Sequence, residues 1–361
     1  ELSGGLDLSG IDTIKILAVM VEFQQDEDQT TVGDGKFSSI YKKTYDNTIL
    51  DPLPHNKEYF EAHLEFAKNY YKKSSNGNII ISSSVLPNVI TVTKTMRNYS
   101  PPIKSTDFSS MAEFTKEVWE LAVNNNPGFE FSKYNLFAIF HAGVGRDISL
   151  PGSLGNEKDL PSVFMGFDLL KKSLGDTFNG IQADGNYRIT NSMILPQTNN
   201  REVESLGSTY LFEVTINGLI VANIASYLGL PDLFDTKTGL SAIGRFGLMD
   251  GQSIFAFNGV FTPEPSPWER IYLSKKLNFS LPVKEISYSS DYSVYSVYAK
   301  SLNDTTILRV NLNSSEYYLL ENRRRDKDFN GCNLTIWNQG QIYTKHFDKD
   351  TTGFYSYAID S

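Results

Sequence analysis

Hydrophobic residues recur along the first part of the chain with the periods of strands and helices in alternation. Residues 14–23 are almost wholly apolar and rich in β-compatible side chains, which predicts a strand covered on both faces. Within residues 55–77 an apolar stripe recurs at helical spacing, and Asn76 and Gly77 predict where that helix ends. The stripe consists of Phe60, Leu64, Ala67 and Tyr71.

Elements of both kinds continue to about residue 145. Residues 78–96 hold two β-branched runs separated by Pro87 and Asn88, which predicts two consecutive strands or a hairpin-like excursion. Residues 134–145 have the pattern of a buried strand that ends in a glycine-rich turn. A second helix is predicted over residues 111–126, where the apolar positions are Met111, Phe114, Val118 and Leu121. This alternation favours a mixed α/β arrangement of layers.

The pattern changes from about Phe261 onward. Short β-like runs alternate with turns there, at residues 285–302, 305–313 and 316–324. The proline-rich stretch 262–268 lies before them and is the candidate junction. We therefore expect a first domain at residues 1–262 and a β-rich C-terminal subdomain at residues 263–361.

One more helix, within residues 215–230, decides the functional interpretation. Thr215 or Asn217 is a candidate N-cap, and Gly229 stands where a helix would end in a left-handed residue. In the zinc-protease motif H-E-x-x-H the two histidines share one side of a helix, and the glutamate activates a bound water. Laid on this helix, those three positions are occupied by Ala222, Asn223 and Ser226.

The segment that follows carries a specific resemblance. Residues 227–235, "YLGLPDLFD", resemble the downstream half of H-E-x-x-H-x-x-G-L-P-D-L-Y-D in the M6, or immune inhibitor A, family of secreted bacterial metallopeptidases. Gly229 matches the glycine of that motif, and Asp232 falls on the third protein ligand. The resemblance implies a zincin-like α/β (α+β) fold, with a mixed sheet and a central helix that carries the site.

Six further segments resemble the same family in the same order along the chain. They are "LAVMVEF" at 17–23, "NYYKKSSNGNIIIS" at 69–82, "FHAGVGRD" at 140–147, "IGRFGLMDGQS" at 243–253, and the pair "YYLLENRR" and "LTIWNQG" near the C-terminus. The fourth resembles the methionine turn of the family, which implies that Met249 lies under the site. The resemblance covers most of the chain and implies a bacterial protein that is secreted or displayed at the cell surface.

The departures from the motif argue against catalysis. Ala222 offers no lone pair, Ser226 is a poor zinc ligand, and Asn223 cannot accept a proton as a carboxylate does. Asp232 alone does not make a catalytic zinc site. None of His55, His63, His141 and His346 is at metal-motif spacing from another histidine, and for His141 a structural role is favoured. We therefore expect no zinc, no catalytic residue and no enzyme activity.

Calcium is the one metal ion for which the sequence offers candidate binding residues. Asp326, Asp328 and Asn330 are spaced like the opening of a calcium loop, but the residue at position twelve is Trp337 rather than glutamate. A plain turn rich in Asp and Asn is the alternative. The acidic stretch at residues 24–35 is a second candidate, with the same alternative.

Composition narrows the classes of partner. A net charge of -9 is unfavourable for binding a phosphate backbone, so no nucleic-acid partner is expected. The apolar runs are too short to cross a bilayer, so no membrane insertion is expected. The single cysteine excludes an intrachain disulfide. The chain starts at Glu1, which is compatible with prior removal of a signal peptide.

The sequence leaves three functional hypotheses. The first is a non-catalytic M6-like pseudopeptidase, whose former substrate cleft binds a protein or glycan partner without cutting it. The second is an active hydrolase that uses a non-standard metal site or a different nucleophile in the same cleft. The third is a carbohydrate-binding or assembly module, suggested only by the 20 tyrosines and 23 phenylalanines.

Overall fold

A computed structural model describes most of the chain. The described residues are 13–38, 40–45, 49–103, 105–236, 238–251, 256, 258–288, 293–298, 306–323, 332–338 and 341–347. By internal contacts the chain forms two compact units: residues 12–229 with 258–260 lie in the first, and residues 230–257 with 261–361 in the second. The predicted domain boundary at residues 262 and 263 stays a prediction.

The first unit is built on a five-stranded mixed sheet, which confirms the expected mixed α/β class. The strand order is β2-β1-β3-β7-β4, in which four strands run parallel and the edge strand β4 runs antiparallel to β7. The strands are β1 (Ile14–Glu22), β2 (Ile81–Thr91), β3 (Leu136–Val144), β4 (Val163–Met165) and β7 (Ser192–Thr198). β3 and β7 are buried along their whole length, as expected for parallel strands covered on both faces.

Helices cover both faces of this sheet. They are α1 (Lys57–Ser74), α2 (Ser109–Asn125), α3 (Phe167–Leu174) and α4 (Asn217–Tyr227). On one face Phe60 of α1 stacks on Phe140 of β3, with ring centroids 4.4 Å apart. On the other face Trp119 of α2 meets Phe137 edge-on at 5.0 Å. Because β3 supplies both contacts, it lies at the centre of the core.

The predicted helical stripes agree with the structure. All four apolar residues of the α1 stripe are buried, and the chain leaves that helix through Asn76 and Gly77, both at positive φ. In α2 the residues Met111, Phe114 and Val118 are buried, whereas Leu121 is only partly so. Burial of one stripe, rather than helix propensity alone, stabilises such helices.

The prediction of two strands in residues 78–96 was wrong, because a single strand, β2, runs through Pro87. The register against β1 shifts between Val85, which pairs with Ala18, and Val89, which pairs with Met20. β2 lies at the edge of the sheet, where a residue without an N–H is tolerated at a bulge. The strand therefore continues through Pro87 with a shift of register instead of ending there.

Two small hairpins complete the first unit. They are β5 (Ile181–Gln182) with β6 (Arg188–Ile189), and β8 (Arg201–Ser205) with β9 (Ser208–Phe212). At the start of β8 the fully buried Arg201 pairs with the fully buried Asp159 at 3.2 Å, so neither charge is left without a partner in the interior.

The second unit contains one α-helix and five strands among its described residues. They are α5 (Pro267–Lys276), β10 (Val283–Ser287), β11 (Ile307–Asn311), β12 (Tyr317–Glu321), β13 (Cys332–Asn338) and β14 (Gln341–Phe347). β10, β11 and β12 form one sheet, and β13 pairs with β14. The β-like run predicted at 285–302 ends as a strand at Ser287, and residues 293–298 are irregular. Part of the predicted junction, Ser266 to Trp268, instead begins α5.

Among the described residues, no helix combines the length and the apolar composition that crossing a membrane requires.

Candidate functional site

Helix α4 carries the positions that correspond to the zinc-protease motif. It begins at Asn217, but neither predicted residue caps it, because the N-cap is Ile216 without a side-chain hydrogen bond. The side chain of Asn217 is used elsewhere, since its Oδ1 accepts a hydrogen bond from His63 Nδ1 at 2.7 Å. The predicted end is confirmed: Gly229 has φ +89°, which is the left-handed conformation that favours glycine.

Two of the three degenerate positions, Ala222 and Ser226, lie on one side of this helix, whereas Asn223 is buried. Between Gly218 and Leu230 the partly exposed residues are Ala222, Ser226 and Gly229, and all the others are buried. Spacings of four and three residues place them on the same side of a helix. The side of α4 that would carry two histidines in the motif is therefore the side that is not packed against the core. We call Ala222, Ser226 and Gly229 the α4 stripe.

The polar groups at these positions are turned onto their own helix. The Asn223 side chain, 7% exposed, donates from Nδ2 to the carbonyl of Leu219 at 2.9 Å. The Ser226 hydroxyl donates to the carbonyl of Ala222 at 3.2 Å. Such bonds to the preceding turn satisfy a polar side chain without a tertiary partner. The amide nitrogen of Asn223 and the hydroxyl of Ser226 are therefore both engaged within α4.

Neighbouring elements hold the buried sides of α4 in place. The helix packs against α1, β4 and β7. The fully buried Tyr71 of α1 donates its hydroxyl proton to the carbonyl of Val221 at 2.7 Å. The ring of Tyr227 meets Phe164 of the edge strand β4 edge-on, with centroids 6.0 Å apart. The scaffold of the helix is thus well packed although its motif positions lack ligands.

Two positions singled out by the resemblance lie in the second unit. Asp232 is exposed to solvent. Met249 is buried, and its carbonyl accepts the N–H of Leu233 at 2.9 Å. The turn at Met249 is held by Glu269 of α5, a fully buried carboxylate that accepts the N–H of Met249 at 2.7 Å and that of Leu248 at 3.1 Å.

Glu269 was not identified from the sequence, although a signal was present. Residues 266–269 read Ser-Pro-Trp-Glu, which has the spacing of a capping box. In the structure Ser266 Oγ accepts the N–H of Glu269, and the Glu269 side chain accepts the N–H of Ser266. The same carboxylate therefore caps α5 and fixes the methionine turn.

His141 lies on the opposite face of the sheet from α1 and α4. Its ring is 5.9 Å from Phe23, which in turn stacks on Phe114 of α2. Its Nδ1 is 2.9 Å from the carbonyl of Ala142, and burial lowers the pKa of the imidazole to about 4. His141 is therefore a neutral core residue on the α2 face and is not part of the α4 stripe.

The sequence analysis also missed a cluster around Tyr59 at the start of α1. His55 stacks on the Tyr59 ring at a centroid distance of 4.2 Å, and His63 meets the same ring edge-on at 4.5 Å. His63 Nε2 is 3.7 Å from Asp51 Oδ1. The three rings are four residues apart in sequence, which was the available signal.

The candidate cation sites gain no support from the structure. In the acidic stretch Asp28 Oδ1 accepts hydrogen bonds from Thr30, and its Oδ2 pairs with Arg97. Asp34 Oδ2 accepts a hydrogen bond from Gln25 Nε2 at 2.7 Å. Asp326, Asp328 and Asn330 lie outside the described residues. Over the described ranges, no group of three or more His, Cys, Asp or Glu side chains is arranged to hold a metal ion.

Zinc does not fit the residues of α4. A catalytic zinc needs three protein ligands with nitrogen, oxygen or sulfur lone pairs aimed at one point. Ala222 has none, and the hydroxyl of Ser226 is directed to the carbonyl of Ala222. The sequence matches no protein-family model, and no curated protein is significantly similar to it.

Proposed function

We propose that this protein is a non-catalytic M6-like pseudopeptidase, which acts as a binding or structural module of an exported or cell-surface bacterial protein. The observation that carries the proposal is the α4 stripe. The side of the helix where the resembling family holds its metal is partly open and carries alanine, serine and glycine. In this proposal the former cleft binds a protein or glycan partner and does not cleave it.

The fold of the first unit supports the zincin-like part of the proposal. Its sheet has four parallel strands and an antiparallel edge strand, and α4 packs against that edge strand and its neighbour β7. The left-handed Gly229 follows α4 as in the motif. Each feature is coarse alone, and together they agree with the order of the resembling sequence segments.

Loss of the ligands is compatible with a stable protein. An imidazole without its metal would leave a ring nitrogen to be paired or hydrated, at a cost of about 1–3 kcal/mol if it is buried unpaired. Ala222 adds no such group, and Ser226 pairs with its own helix. If selection preserved the fold but not catalysis, the packed helix would be kept and the metal ligands would be lost. The residues of α4 agree with that outcome.

The first test measures metal and activity on the whole chain. Protein purified without a histidine tag is incubated with zinc and calcium, dialysed exhaustively and subjected to elemental analysis. A peptide library is then offered with and without a chelator. We expect no stoichiometric zinc and no chelator-sensitive cleavage. One zinc per chain together with such cleavage would favour the hydrolase hypothesis instead.

A second test asks whether α4 still presents the former site. The double variant Ala222→His with Ser226→His restores two ligands on the α4 stripe, and we expect it to bind zinc. The single variants Ala222→His and Ser226→His should bind zinc more weakly than the double variant, because each offers one added imidazole instead of two.

A matched control separates this result from the behaviour of any histidine pair. Glu58→His with Ala62→His places two histidines at the same spacing on exposed positions of α1. This pair gives the zinc affinity of two exposed histidines at that spacing. Zinc binding by the α1 pair but not by the α4 pair would contradict the open placement of the α4 stripe.

A further inference from the structure

The cluster around Tyr59 places two imidazoles in a largely buried environment. His55 is 4% exposed and His63 is 8% exposed. The cluster joins the segment before α1 to β7, because Gln197 of β7 contacts His55 through its side chain and accepts the Tyr59 hydroxyl proton on its main-chain carbonyl at 2.8 Å. It uses none of the residues of the α4 stripe.

Main-chain partners fix the orientation of the Gln197 amide. Its Oε1 accepts the N–H of Gly143 at 2.7 Å, and its Nε2 donates to the carbonyl of Phe37 at 2.9 Å. Rotating the amide by half a turn would set its NH2 group against the N–H of Gly143, which is also a donor. The same rotation would set its oxygen against the carbonyl of Phe37, which is also an acceptor. The second proton of Nε2 is therefore the one that faces His55 Nδ1, at 2.8 Å.

This geometry assigns the state of the His55 ring. Because Gln197 donates to Nδ1, that nitrogen is an acceptor and carries no proton. The other ring nitrogen, Nε2, is 2.8 Å from the main-chain carbonyl of Asp51 and is therefore the donor. The neutral ring is thus satisfied at both nitrogens. Burial lowers the pKa of His55 to about 4, against the opposing effect of Asp51.

Protonation of His55 would destroy the contact with β7. The added proton has one place to go, the Nδ1 lone pair, where it would meet the N–H of Gln197. Two donors then face each other in a buried site, and the amide cannot turn without losing Gly143 and Phe37. The Tyr59 ring stacked on His55 restricts the room for a shift of the ring.

The charged and titratable neighbours of His55 come from two elements. Its own loop contributes Asp51, and α1 contributes Tyr59 and His63. The hydrogen-bonding groups on the other elements are neutral amides. They are the side chain of Gln197 in β7, the N–H of Gly143 in β3 and the carbonyl of Phe37. His63 reaches α4 through Asn217, so the cluster also contacts the first residue of that helix.

We propose that the hydrogen bond between His55 and Gln197 is an acid-sensitive latch, which a proton on His55 opens so that the segment Leu50 to Asn56 separates from β7. The proton comes from solvent and forms the Nδ1–H bond, and no covalent bond breaks. The latch does not depend on the function proposed for the α4 stripe.

The first measurement is nuclear magnetic resonance of the histidine ring nitrogens in the wild-type chain. At pH 7.5 His55 should be the tautomer protonated at Nε2, and it should titrate well below the ordinary histidine value near 6.5. A ring protonated at Nδ1, or a His55 that titrates near 6.5, would overturn the proposal. This measurement needs no variant and so does not depend on whether a variant folds.

The second measurement is hydrogen exchange of the Gly143 amide, which donates to Gln197. A ring with a pKa of about 4 when closed and an ordinary value when open shifts the opening equilibrium by about 30-fold between pH 7.5 and pH 5. Separation of the segment Leu50 to Asn56 admits water to Gln197 and to the Gly143 amide bonded to it, so after correction for intrinsic exchange the protection of Gly143 should fall by that factor. The Ile139 amide, in the middle of β3, reports opening of the whole unit, so the free energy of opening measured there should stay higher than that measured at Gly143.

Two variants complete the test. His55→Phe keeps a ring over Tyr59 but cannot titrate, so the protection of Gly143 should no longer depend on pH. His141→Leu removes a buried histidine outside the cluster and should leave the 30-fold change intact. Equal free energies of opening at Gly143 and Ile139 would show unfolding of the whole unit, and a fall at Gly143 that persists in His55→Phe would show another titrating group; either result would refute the latch.

Discussion

Replacing His141 should make the protein less sensitive to acid. The side chain is fully buried in β3, and its Nε2 has no hydrogen-bond partner among the described residues. Burial lowers the pKa of His141 to about 4, whereas an unfolded chain gives histidine a pKa near 6.5. The unfolded state therefore binds more protons than the folded state at pH values between these two.

The sign and size of the effect follow from this difference. A depressed histidine pKa contributes stability that is fully present above about pH 6.5 and is lost as the pH falls towards 4. Between pH 7.5 and pH 4.5 the loss attributable to one such ring is about 2.5 kcal/mol of unfolding free energy. Carboxylates and His55 add their own dependence, so the difference between wild type and variant is the quantity to measure.

The variant is His141→Leu, which has an apolar side chain of similar size. Urea denaturation followed by circular dichroism at a series of pH values gives the free energy of unfolding and its urea dependence. From pH 7.5 to pH 4.5 the variant should lose about 2.5 kcal/mol less than the wild type. Ile139→Val, on the same strand, is the matched control and should shift stability by about 0.5–1.5 kcal/mol at every pH.

Parallel curves for wild type and His141→Leu would refute the reasoning. They would mean that the ring takes up a proton in the folded state as easily as in the unfolded state. A difference that appears equally in Ile139→Val would also count against it, because that residue does not titrate.

Three further substitutions test the scaffold around α4 and the methionine turn. Tyr71→Phe removes the buried hydroxyl that donates to Val221, and urea denaturation should show a loss of about 1–2 kcal/mol. Gly229→Ala should cost about 1 kcal/mol or more because of its positive φ, whereas Gly229→Asn should cost less, and equal midpoints for the two would contradict this. Glu269→Gln leaves one main-chain N–H at the Met249 turn without its carboxylate acceptor and should lower stability by about 1.5–3 kcal/mol, while an unchanged melting temperature would refute that role.

The structure also changes the interpretation of the histidines. Spacing alone indicated four separate histidines, with a structural role favoured for His141. In the fold His141 is a core residue on the α2 face, while His55 and His63 meet at Tyr59. Local spacing could suggest the second arrangement, but the decisive partner, Gln197, is more than a hundred residues away in sequence.

The sequence by itself determined which segments form strands and helices with a regular hydrophobic pattern. It also determined which side chains α4 carries. β1, α1, α2 and β3 follow from hydrophobic spacing, because each must bury one stripe or both faces wherever it packs. The lack of metal ligands at Ala222, Asn223 and Ser226 is likewise fixed by residue type. Gly229 at the end of α4 follows from the conformational freedom that glycine alone has.

Only the tertiary structure decided what depends on partners distant in sequence. Pro87 lies inside a strand because β2 is an edge strand, and Asn217 does not cap α4 because His63 takes its oxygen. The tautomer of the neutral His55 ring is set by an amide that two main-chain groups hold in place. Hydrogen bonds between distant side chains, and the position of a strand at the edge of a sheet, are defined only when the strands and helices pack together. No local sequence pattern therefore predicts them.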